Sequence, residues 1–326
     1  MPDGRPVERI ALAGGDLSAQ VLTYGAIVQD IHLAPVGHSL ILGFEDIGAY
    51  IRDDAHIGAV VGRVANRIAQ GRMEIDGQLY PLDCNQGGRH TLHGGAEGAS
   101  RQLWRIEDAG PRHVALALHL PDGHMGFPGA VDLGARYEIL DGGVFEITLD
   151  SRPAKRGVCN LAPHLYFNLD GGGDAREHIL RIPAEHVLPT SDEGIPTGEV
   201  LPVDKTPWDF RMAKTVGEGG IRYDHNFCLS ETRRPLSMAA HLRGGGFGIS
   251  MVLETTEPGL QVYDGVGLSE PYSGLALEPQ GWPDAPNHAR FPSILVPPGE
   301  TLRQATRMTF STGRRSSDRR AYHGAK

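Results

Sequence analysis

Cysteine is scarce in this chain, and long apolar runs are missing from it. Only three cysteines, Cys84, Cys159 and Cys228, occur among 326 residues, and none belongs to a CxxC pair. An odd and sparse set of this kind cannot build a disulfide framework, which favours a reducing compartment. No run of about 18 apolar residues occurs, and the first residues lack the apolar stretch of a secretory signal. These absences predict a cytoplasmic protein that does not span a membrane.

An excess of basic charge is also lacking. The chain carries 31 Lys and Arg residues against 40 Asp and Glu residues, which gives a formal net charge of −9. Nucleic-acid-binding proteins need a basic face, so this balance argues against a nucleic-acid partner. An acidic body also repels phosphorylated substrates unless a local cationic pocket receives them. The charge leaves uncharged small molecules open as ligands.

Motifs typical of phosphate-binding, hydrolase-nucleophile and metal sites are missing as well. The chain has no Walker A motif and no G-x-S-x-G elbow, and its Gly-rich runs at 171–173 and 244–246 do not stand between a strand and a helix. His90 and His93 are three residues apart, but no HExxH motif, His-rich tract or cysteine pair accompanies them. We therefore do not expect a metal ion, and the sequence offers no phosphate-binding loop.

Glycine and proline, by contrast, are abundant. The chain has 44 glycines and 23 prolines, and long helices seldom tolerate that density because both residues destabilise a helix interior. Stretches rich in β-forming residues recur between the turns, at residues 113–120, 131–140 and 144–150. Asp76-Gly77 separates the short runs 72–75 and 78–80, a pattern typical of a two-residue β-hairpin. The sequence therefore predicts an all-β protein, a sandwich or a barrel.

The domain organisation follows from the lack of internal breaks. The chain shows no repeat of fixed period and no long low-complexity linker. Because β-sandwiches often exceed the usual length of one domain, we predict a single large domain over residues 1–310. Residues 311–326 are polar, carry five basic side chains and one acidic one, and lack apolar periodicity. They are predicted to form a polar basic C-terminal tail.

Four polar clusters combine ionisable side chains with turn residues, and they contain the candidate functional residues. They cover residues 62–68 with the nearby His90 and His93, 160–169, 223–227 and 277–288. Each cluster has an ordinary structural explanation when it is taken alone, since His164 beside two aromatic residues fits a hydrogen-bonded core histidine. Glu278 follows an apolar run and fits the polar end of a strand, where we expect half burial. Burial raises the pKa of a carboxyl group toward the range of a general base.

Taken together, the clusters are much more specific. In chain order the relevant blocks are GRVANRI at 62–68, LHGG at 92–95, HLYFNL at 164–169, TPWDFR at 206–211, YDHNF at 223–227, PGLQVYDG at 258–265 and LEPQGWPDAPNH at 277–288. They resemble the aldose 1-epimerase (galactose mutarotase) family, and weaker likeness extends over nearly all of residues 20–310. The resemblance implies a galactose-mutarotase-like β-supersandwich, one domain of antiparallel sheets with an open sugar-binding cleft. It also implies interconversion of the α- and β-anomers of a free aldose, a monosaccharide, without a cofactor.

Anomer exchange needs two proton transfers, and the resemblance assigns residues to both. One group takes the proton of the anomeric hydroxyl, and another protonates the ring oxygen as the C1–O5 bond breaks. A carboxylate suits the first task and an imidazolium the second. By similarity to the family motifs, Glu278 is the general base, His164 the general acid and His93 a second histidine near the ring oxygen. The residues that match positions holding the sugar hydroxyls are Asn66, Arg67, Asp224 and Gln261.

Three sites depart from the family pattern. Ala99-Ser100 stands where the family often has Phe-Asp, and the loss of the aromatic side chain is expected to open the wall beside the cleft. Pro163 stands where Asn is usual, which removes an amide side chain and a backbone N–H. Trp282 stands where a smaller aromatic residue is frequent, so it either stacks on the sugar or packs in the protein. These changes leave the acid and the base in place and the sugar preference undetermined.

Two other functions fit parts of the pattern. Asp224 and Glu278 are a candidate carboxylate pair for hydrolysis of a glycosidic bond, which needs a separation of roughly 5–9.5 Å and a cleft for two sugar units. A sugar sensor or regulator is the other alternative, although a protein that only binds sugar has no need for an acid–base set. The sequence leaves the oligomeric state open between a monomer and a homodimer.

Overall fold

The computed structural model describes residues 4–246 and 248–313. Within them the chain consists mainly of β-strands, and the paired strands of its sheets run antiparallel. The predicted all-β class is thereby confirmed. The last strand, Leu302–Thr312, begins before the predicted tail and continues into it, whereas residues 314–326 lie outside the described residues. The single domain over residues 1–310 stays a prediction.

The largest sheet has nine strands. In spatial order they are Lys214–Thr215, Ile179–Arg181, Ser237–Arg243, Ile249–Thr255, Leu302–Thr312, Val144–Pro153, Val131–Leu140, His113–Leu120 and Arg105–Gly110. The strands predicted at 113–120 and 131–140 are confirmed, and the one predicted at 144–150 continues to Pro153. Burial alternates along 131–140, because successive side chains of a strand point to opposite faces of the sheet.

A second sheet, of six strands, carries the candidate site. In spatial order its strands are Tyr166–Phe167, Leu275–Gln280, Gly259–Tyr263, Asp224–Cys228, His186–Val187 and Leu201–Pro202. Its register pairs Gln261 with Glu278 and Asp224 with Tyr263. Directly paired residues point to the same side of a sheet, as do residues two apart, so these four side chains share one face. The opposite face is apolar and packs into the core through Phe227, Leu260, Val262, Leu275 and Leu277.

The main core joins these two sheets to a third. The third sheet has three strands, Arg9–Gly14, Leu17–Leu22 and Val28–Leu33. Ile31, Phe145 and Leu260 contribute fully buried side chains to the core, one from each sheet. Burying one such side chain is worth about 1.5–3 kcal/mol relative to leaving it exposed. The core therefore holds the six-stranded sheet with its apolar face inward, which leaves the polar face available to a cleft.

Four short ladders of two strands each lie outside the larger sheets in the described part of the chain. They pair Val60–Val61 with Ala162–Pro163, Arg67–Ile68 with Thr91–Leu92, Arg72–Ile75 with Gln78–Pro81, and Gly157–Val158 with Leu295–Val296. The third ladder is the predicted hairpin. Its turn residues Asp76 and Gly77 have φ values of 53° and 79°, the positive values that a type I′ turn requires.

Helices are few and short in the described part of the chain. One α-helix covers Ile47–Arg52, and the Asp46 side chain caps it by accepting a hydrogen bond from the Ala49 N–H (3.1 Å). Short 3₁₀ turns lie at Ala69–Gly71, Ala99–Arg101, His124–Gly126, Ala175–Glu177, Val216–Gly219 and Ala285–Asn287. Among the described residues, no helix has the length and apolar character that crossing a bilayer requires.

Candidate active site

A cleft opens above the polar face of the six-stranded sheet. Its cavity volume is about 560 Å³, within the roughly 300–1,000 Å³ that is usual for small-molecule sites. The fold brings residues of all four polar clusters together here. Most of the predicted site residues line the cavity, namely Asn66, Arg67, His93, His164, Asp224 and Glu278. The remaining one, Gln261, contacts Asp224 instead.

Glu278 is a buried carboxyl group on the floor of this cleft, within the strand Leu275–Gln280. It is only 2% exposed, where the sequence predicted half burial. Its Oε2 atom has no hydrogen-bond partner among the described residues. Burial raises the pKa of this carboxyl well above its ordinary value; the charge of Asp224 adds to the shift and that of Arg67 opposes it. A carboxyl group in this state is suited to exchange a proton with a bound molecule.

His164 is held beside Glu278 by its own backbone. Its N–H donates to the Ala59 carbonyl (2.8 Å), and its carbonyl accepts from the Gly58 N–H (2.9 Å). Its Nε2 lies 3.5 Å from Glu278 Oε2, and its Nδ1 is buried without a partner among the described residues. Burial lowers the pKa of His164 to about 3, and the neighbouring His56 adds to the shift. The resting ring is therefore neutral at neutral pH, and the imidazolium expected from the sequence is not its resting form.

His93 packs against His164, with the two ring centroids 5.2 Å apart. The Asn66 N–H donates to His93 Nδ1 (3.2 Å), and the His93 N–H donates to the Asn66 carbonyl (3.0 Å). Because Nδ1 accepts a hydrogen bond, the neutral ring carries its proton on Nε2. Burial is the main reason why the pKa of His93 lies well below its ordinary value. The proximity of His56 and His164 lowers this pKa further. His93 is therefore a neutral N–H donor. We call Glu278, His164 and His93 the acid–base cluster.

A second group of residues is built around an ion pair that lines the cleft. Arg67 Nη1 lies 3.2 Å from Asp224 Oδ2, and Arg67 Nε donates to Gln86 Oε1 (3.1 Å). Gln261 Nε2 donates to Asp224 Oδ1 (2.6 Å), and the Arg67 N–H donates to Asn66 Oδ1 (2.8 Å). These contacts orient each polar group before any ligand enters. We call these five residues the ion-pair cluster.

Several residues that line the cavity lie outside the predicted site, and three of them are aromatic or imidazole side chains with a polar group: His56, Tyr166 and Tyr263. The strand register explains the tyrosines, because both pair with Ala276 and so face the cleft. His56 contacts Ser100 through its Nδ1 (3.0 Å to Oγ). Each of the three stands close in sequence to a polar cluster or a predicted site residue, and this proximity is the signal that would identify them.

Two departures from the family pattern lie outside the cavity lining. Ala99 is fully buried in the main core and does not line the cavity, so the expected opening of the wall is wrong. Trp282 packs in the protein: its ring centroid lies 5.2 Å from that of Phe291, and its Nε1–H donates to the Pro258 carbonyl (3.0 Å). Of the two roles open to this tryptophan, the structure shows packing.

The acid–base cluster also offers ligand atoms for a metal ion. One nitrogen or oxygen atom from each of Glu278, His164 and His93 lies within 4.8 Å of the others, and His90 is not part of this group. A metal bound at His93 Nε2 would require the ring proton to move to Nδ1, where the Asn66 N–H already donates. This hydrogen bond disfavours a metal at that nitrogen. The absence of a metal stays a prediction.

Known proteins resemble this chain in sequence over nearly all of its length. The model of the aldose 1-epimerase family matches residues 8–309. Galactose mutarotase of Rattus norvegicus is 34% identical over 329 residues, which cover 94% of this chain and 95% of that protein. Aldose 1-epimerase of Haemophilus influenzae is 35% identical over 316 residues, which cover 89% of this chain and 91% of that protein.

Solved structures resemble it in fold. The crystal structure of an aldose epimerase homologue from C. elegans has a TM-score of 0.89 at 29% identity, and the match covers 94% of this chain and 99% of that one. Galactose 1-epimerase from Lactobacillus acidophilus has a TM-score of 0.85 at 26% identity, and the match covers 95% of this chain and 96% of that one. These similarities confirm the predicted galactose-mutarotase-like β-sandwich.

Proposed function

The chain belongs to the aldose 1-epimerase family and is a mutarotase, an isomerase that interconverts the α- and β-anomers of an aldose; we propose that Glu278 and His164 carry out its proton transfers. One observation carries this proposal. Glu278 Oε2 and His164 Nε2 lie 3.5 Å apart at the floor of the cleft, and both side chains are buried. The substrate is a monosaccharide.

The reaction opens and recloses the sugar ring. Glu278, as the carboxylate, takes the proton of the anomeric hydroxyl, and His164, as the imidazolium, gives a proton to the ring oxygen while the C1–O5 bond breaks. The open-chain aldehyde rotates about the C1–C2 bond. Reclosure on the other face reverses both transfers, because His164 takes the proton back from the C5 hydroxyl and Glu278 returns its proton to the C1 oxygen. The enzyme ends in its starting form.

The buried pair holds one proton between its two members. Burial favours the uncharged arrangement, with Glu278 protonated and His164 neutral. The form that the reaction requires has this proton on His164 instead, and its transfer needs Glu278 Oε2 and His164 Nε2 to approach from 3.5 Å to hydrogen-bond distance. A bound sugar donates and accepts hydrogen bonds at atoms that the site leaves unpartnered, so it stabilises the charged form. The apparent pKa values therefore belong to the pair.

The other predicted residues position the sugar. His93 donates its Nε2–H near the ring oxygen, where negative charge develops. Asn66, Arg67 and Asp224 bind those hydroxyl groups of the sugar that are distant from the reacting bond, since charged partners make the stronger hydrogen bonds. Gln261 acts through Asp224, to which it donates a 2.6 Å hydrogen bond. A fixed orientation is a large part of catalysis for a flexible polyol.

Polarimetry on freshly dissolved α-anomers tests this function. The wild type and Glu278→Gln are compared on glucose, galactose, xylose, arabinose and fucose. Faster relaxation to the same final rotation, lost in the variant, supports a mutarotase with this base. A variant as fast as the wild type contradicts the assignment. Sugar binding without acceleration would instead identify a sugar-binding regulator, and hydrolysis of a glycoside that depends on Asp224 and Glu278 would identify a glycosidase.

Two features outside the site stay predictions. The three cysteines are free thiols, in keeping with the cytoplasmic location that their sparse number predicts. The oligomeric state is either a monomer or a homodimer, which size-exclusion chromatography with light scattering distinguishes.

A further inference from the structure

His56 is a third imidazole in the cleft, and the reaction described above does not use it. Its ring centroid lies 4.9 Å from that of His93 and 6.2 Å from that of His164. The side chain is half-buried and lines the cavity. Glu278 contacts His164, but no hydrogen bond or ion pair joins Glu278 to His56 among the described residues. Within the described part of the chain, His56 therefore lies beside the two histidines and makes no polar contact with the base.

The hydrogen bond of His56 leaves one of its nitrogens available. Its Nδ1 is 3.0 Å from the hydroxyl of Ser100, which is buried and has no other side-chain partner among the described residues. That hydroxyl proton is satisfied only when it points at Nδ1. The imidazole proton then lies on Nε2, which has no partner among the described residues and is not sealed from the cleft. His56 thus presents an unused N–H donor.

The surrounding chain holds His56 in one conformation. Its φ is 55°, a positive value that a non-glycine residue keeps only where its surroundings impose it. The Asp53 side chain accepts hydrogen bonds from the N–H groups of Ala55 and Ile57, on either side of His56 (both 3.0 Å). The Tyr166 hydroxyl donates to the Ala55 carbonyl (3.1 Å). Strained residues that are anchored in this way cluster at ligand-binding and active sites.

We propose that His56 binds the substituent on C5 of the sugar, which is the hydroxymethyl group of a hexose. The proposal rests on the proposed function, which places the anomeric hydroxyl at Glu278 and the ring oxygen at His164 and His93. The ring oxygen has two carbon neighbours, C1 and C5, and Glu278 occupies the C1 side. A group that lies beside both histidines and makes no polar contact with the base therefore faces C5.

The chemistry of His56 suits a hydroxymethyl group. Burial lowers the pKa of His56 to about 4, and the charge of Arg101 adds to the shift, so the ring is neutral at neutral pH. A neutral N–H donor matches the oxygen of an uncharged hydroxyl group. A sugar without this hydroxyl gives the donor no partner of its own, which lowers affinity. His56 is therefore a specificity-determining residue that favours hexoses over their 6-deoxy and pentose counterparts.

Three sugars of one configuration test this inference. D-Galactose, D-fucose and L-arabinose differ only at C5, where they carry a hydroxymethyl group, a methyl group and a hydrogen. The wild type is compared with His56→Asn and His56→Gln. Asparagine tolerates a positive φ and is too short to reach the position of Nε2, whereas the glutamine amide reaches it. His119→Phe, at an exposed histidine of the nine-stranded sheet, is the control.

The wild type should have a kcat/KM for galactose about tenfold above that for fucose, the usual worth of one hydrogen bond to an otherwise unpartnered donor. In His56→Asn the ratio of kcat/KM for galactose to kcat/KM for fucose should fall to about one, because kcat/KM for galactose drops and kcat/KM for fucose stays the same. His56→Gln should restore part of the ratio, and His119→Phe should leave it unchanged. A wild type without the preference, or an equal loss for both sugars in His56→Asn, overturns the proposal.

Failure of the proposed function would give a different result. If the wild type accelerates no sugar, the reaction is wrongly assigned, and calorimetric Kd values for the same sugars then test His56 alone. A galactose preference that His56→Asn removes supports the proposal, and its absence overturns it. D-Glucose, 6-deoxy-D-glucose and D-xylose repeat the test for the other configuration at C4.

Discussion

The two clusters in the cleft are built in opposite ways. In the ion-pair cluster, the Arg67 and Asp224 side chains are 14% and 36% exposed, and they contact each other and two glutamines. In the acid–base cluster, Glu278 and His164 are nearly sealed from water, and each keeps a buried atom without a partner among the described residues. One cluster is satisfied before the sugar enters, whereas the other is not.

This difference predicts separate roles for the two clusters in the chemical step and in sugar binding. A buried polar atom without a partner costs stability, so native proteins tolerate it mainly where a ligand or a reaction supplies the missing contact. Groups that are already paired change little during a reaction and are suited to orienting a substrate. We therefore expect substitutions in the acid–base cluster to lower the rate of the chemical step. Substitutions in the ion-pair cluster should weaken sugar binding.

The largest effect is expected for Glu278→Gln, which removes the base and keeps the shape of the side chain. We expect kcat/KM to fall by about 10²–10⁴-fold, the usual contribution of general acid–base catalysis. The variant should unfold at the same or a higher temperature at pH 7. The raised pKa of Glu278 means that folding loses stability as pH rises above the ordinary carboxyl value, and Gln removes this cost. Polarimetry and thermal unfolding measure both results; an unchanged rate would remove Glu278 from the mechanism.

His164→Asn should lower kcat/KM almost as much, because it removes the acid that protonates the ring oxygen. The double variant with Glu278→Gln should lose little more than either single variant, since the two residues act as one unit. Polarimetry on the three variants gives the comparison. Losses that multiply in the double variant would show that the two residues act independently.

Arg67→Ala should raise KM by about tenfold with a much smaller change in kcat, because it removes charge-assisted contacts made equally before and during the reaction. Steady-state kinetics on the preferred sugar measure the split. Arg89→Ala is the matched control, since Arg89 is exposed and pairs with Glu193 away from the cavity lining (2.6 Å). A fall in kcat with unchanged KM in Arg67→Ala would contradict the expectation that the ion-pair cluster acts mainly in sugar binding.

Trp282→Phe should change stability and leave catalysis intact. It removes one hydrogen bond to the Pro258 carbonyl, which keeps the N–H donors of Leu229 and Ser230, so we expect the free energy of unfolding to fall by about 0.5–1.5 kcal/mol, the usual net worth of one hydrogen bond. Urea unfolding and polarimetry measure the two effects. A changed KM would place this tryptophan in contact with the sugar.

The smallest change is expected from pH itself. Because the pKa of His164 is lowered to about 3 and that of Glu278 is raised, the pair keeps one proton over a wide range. We expect kcat/KM to be nearly constant around neutral pH. It should fall at lower pH, where His164 becomes protonated while Glu278 is still protonated. It should also fall at higher pH, where Glu278 loses its proton. A transition near the ordinary histidine pKa would contradict the shared proton.

Local patterns predicted much of the fold, but contacts between distant segments decided the site. The strand at 131–140 and the turn at Asp76-Gly77 follow from side-chain period and turn chemistry, which act over a few residues. The motif resemblance pointed to Glu278, but its full burial depends on strands that come together only in the folded chain. His56 lies 44 residues from the serine that orients it, and no local pattern marks that pairing.

Sugar titration by calorimetry on Glu278→Gln and Arg67→Ala, side by side with the wild type, tests the division between the two clusters most directly. We expect Glu278→Gln to bind the preferred sugar within about threefold of the wild-type Kd, because it keeps every contact of the ion-pair cluster. Arg67→Ala should bind about tenfold more weakly. Equal weakening in the two variants would contradict the account, since it would show that the buried acid–base cluster also provides the binding.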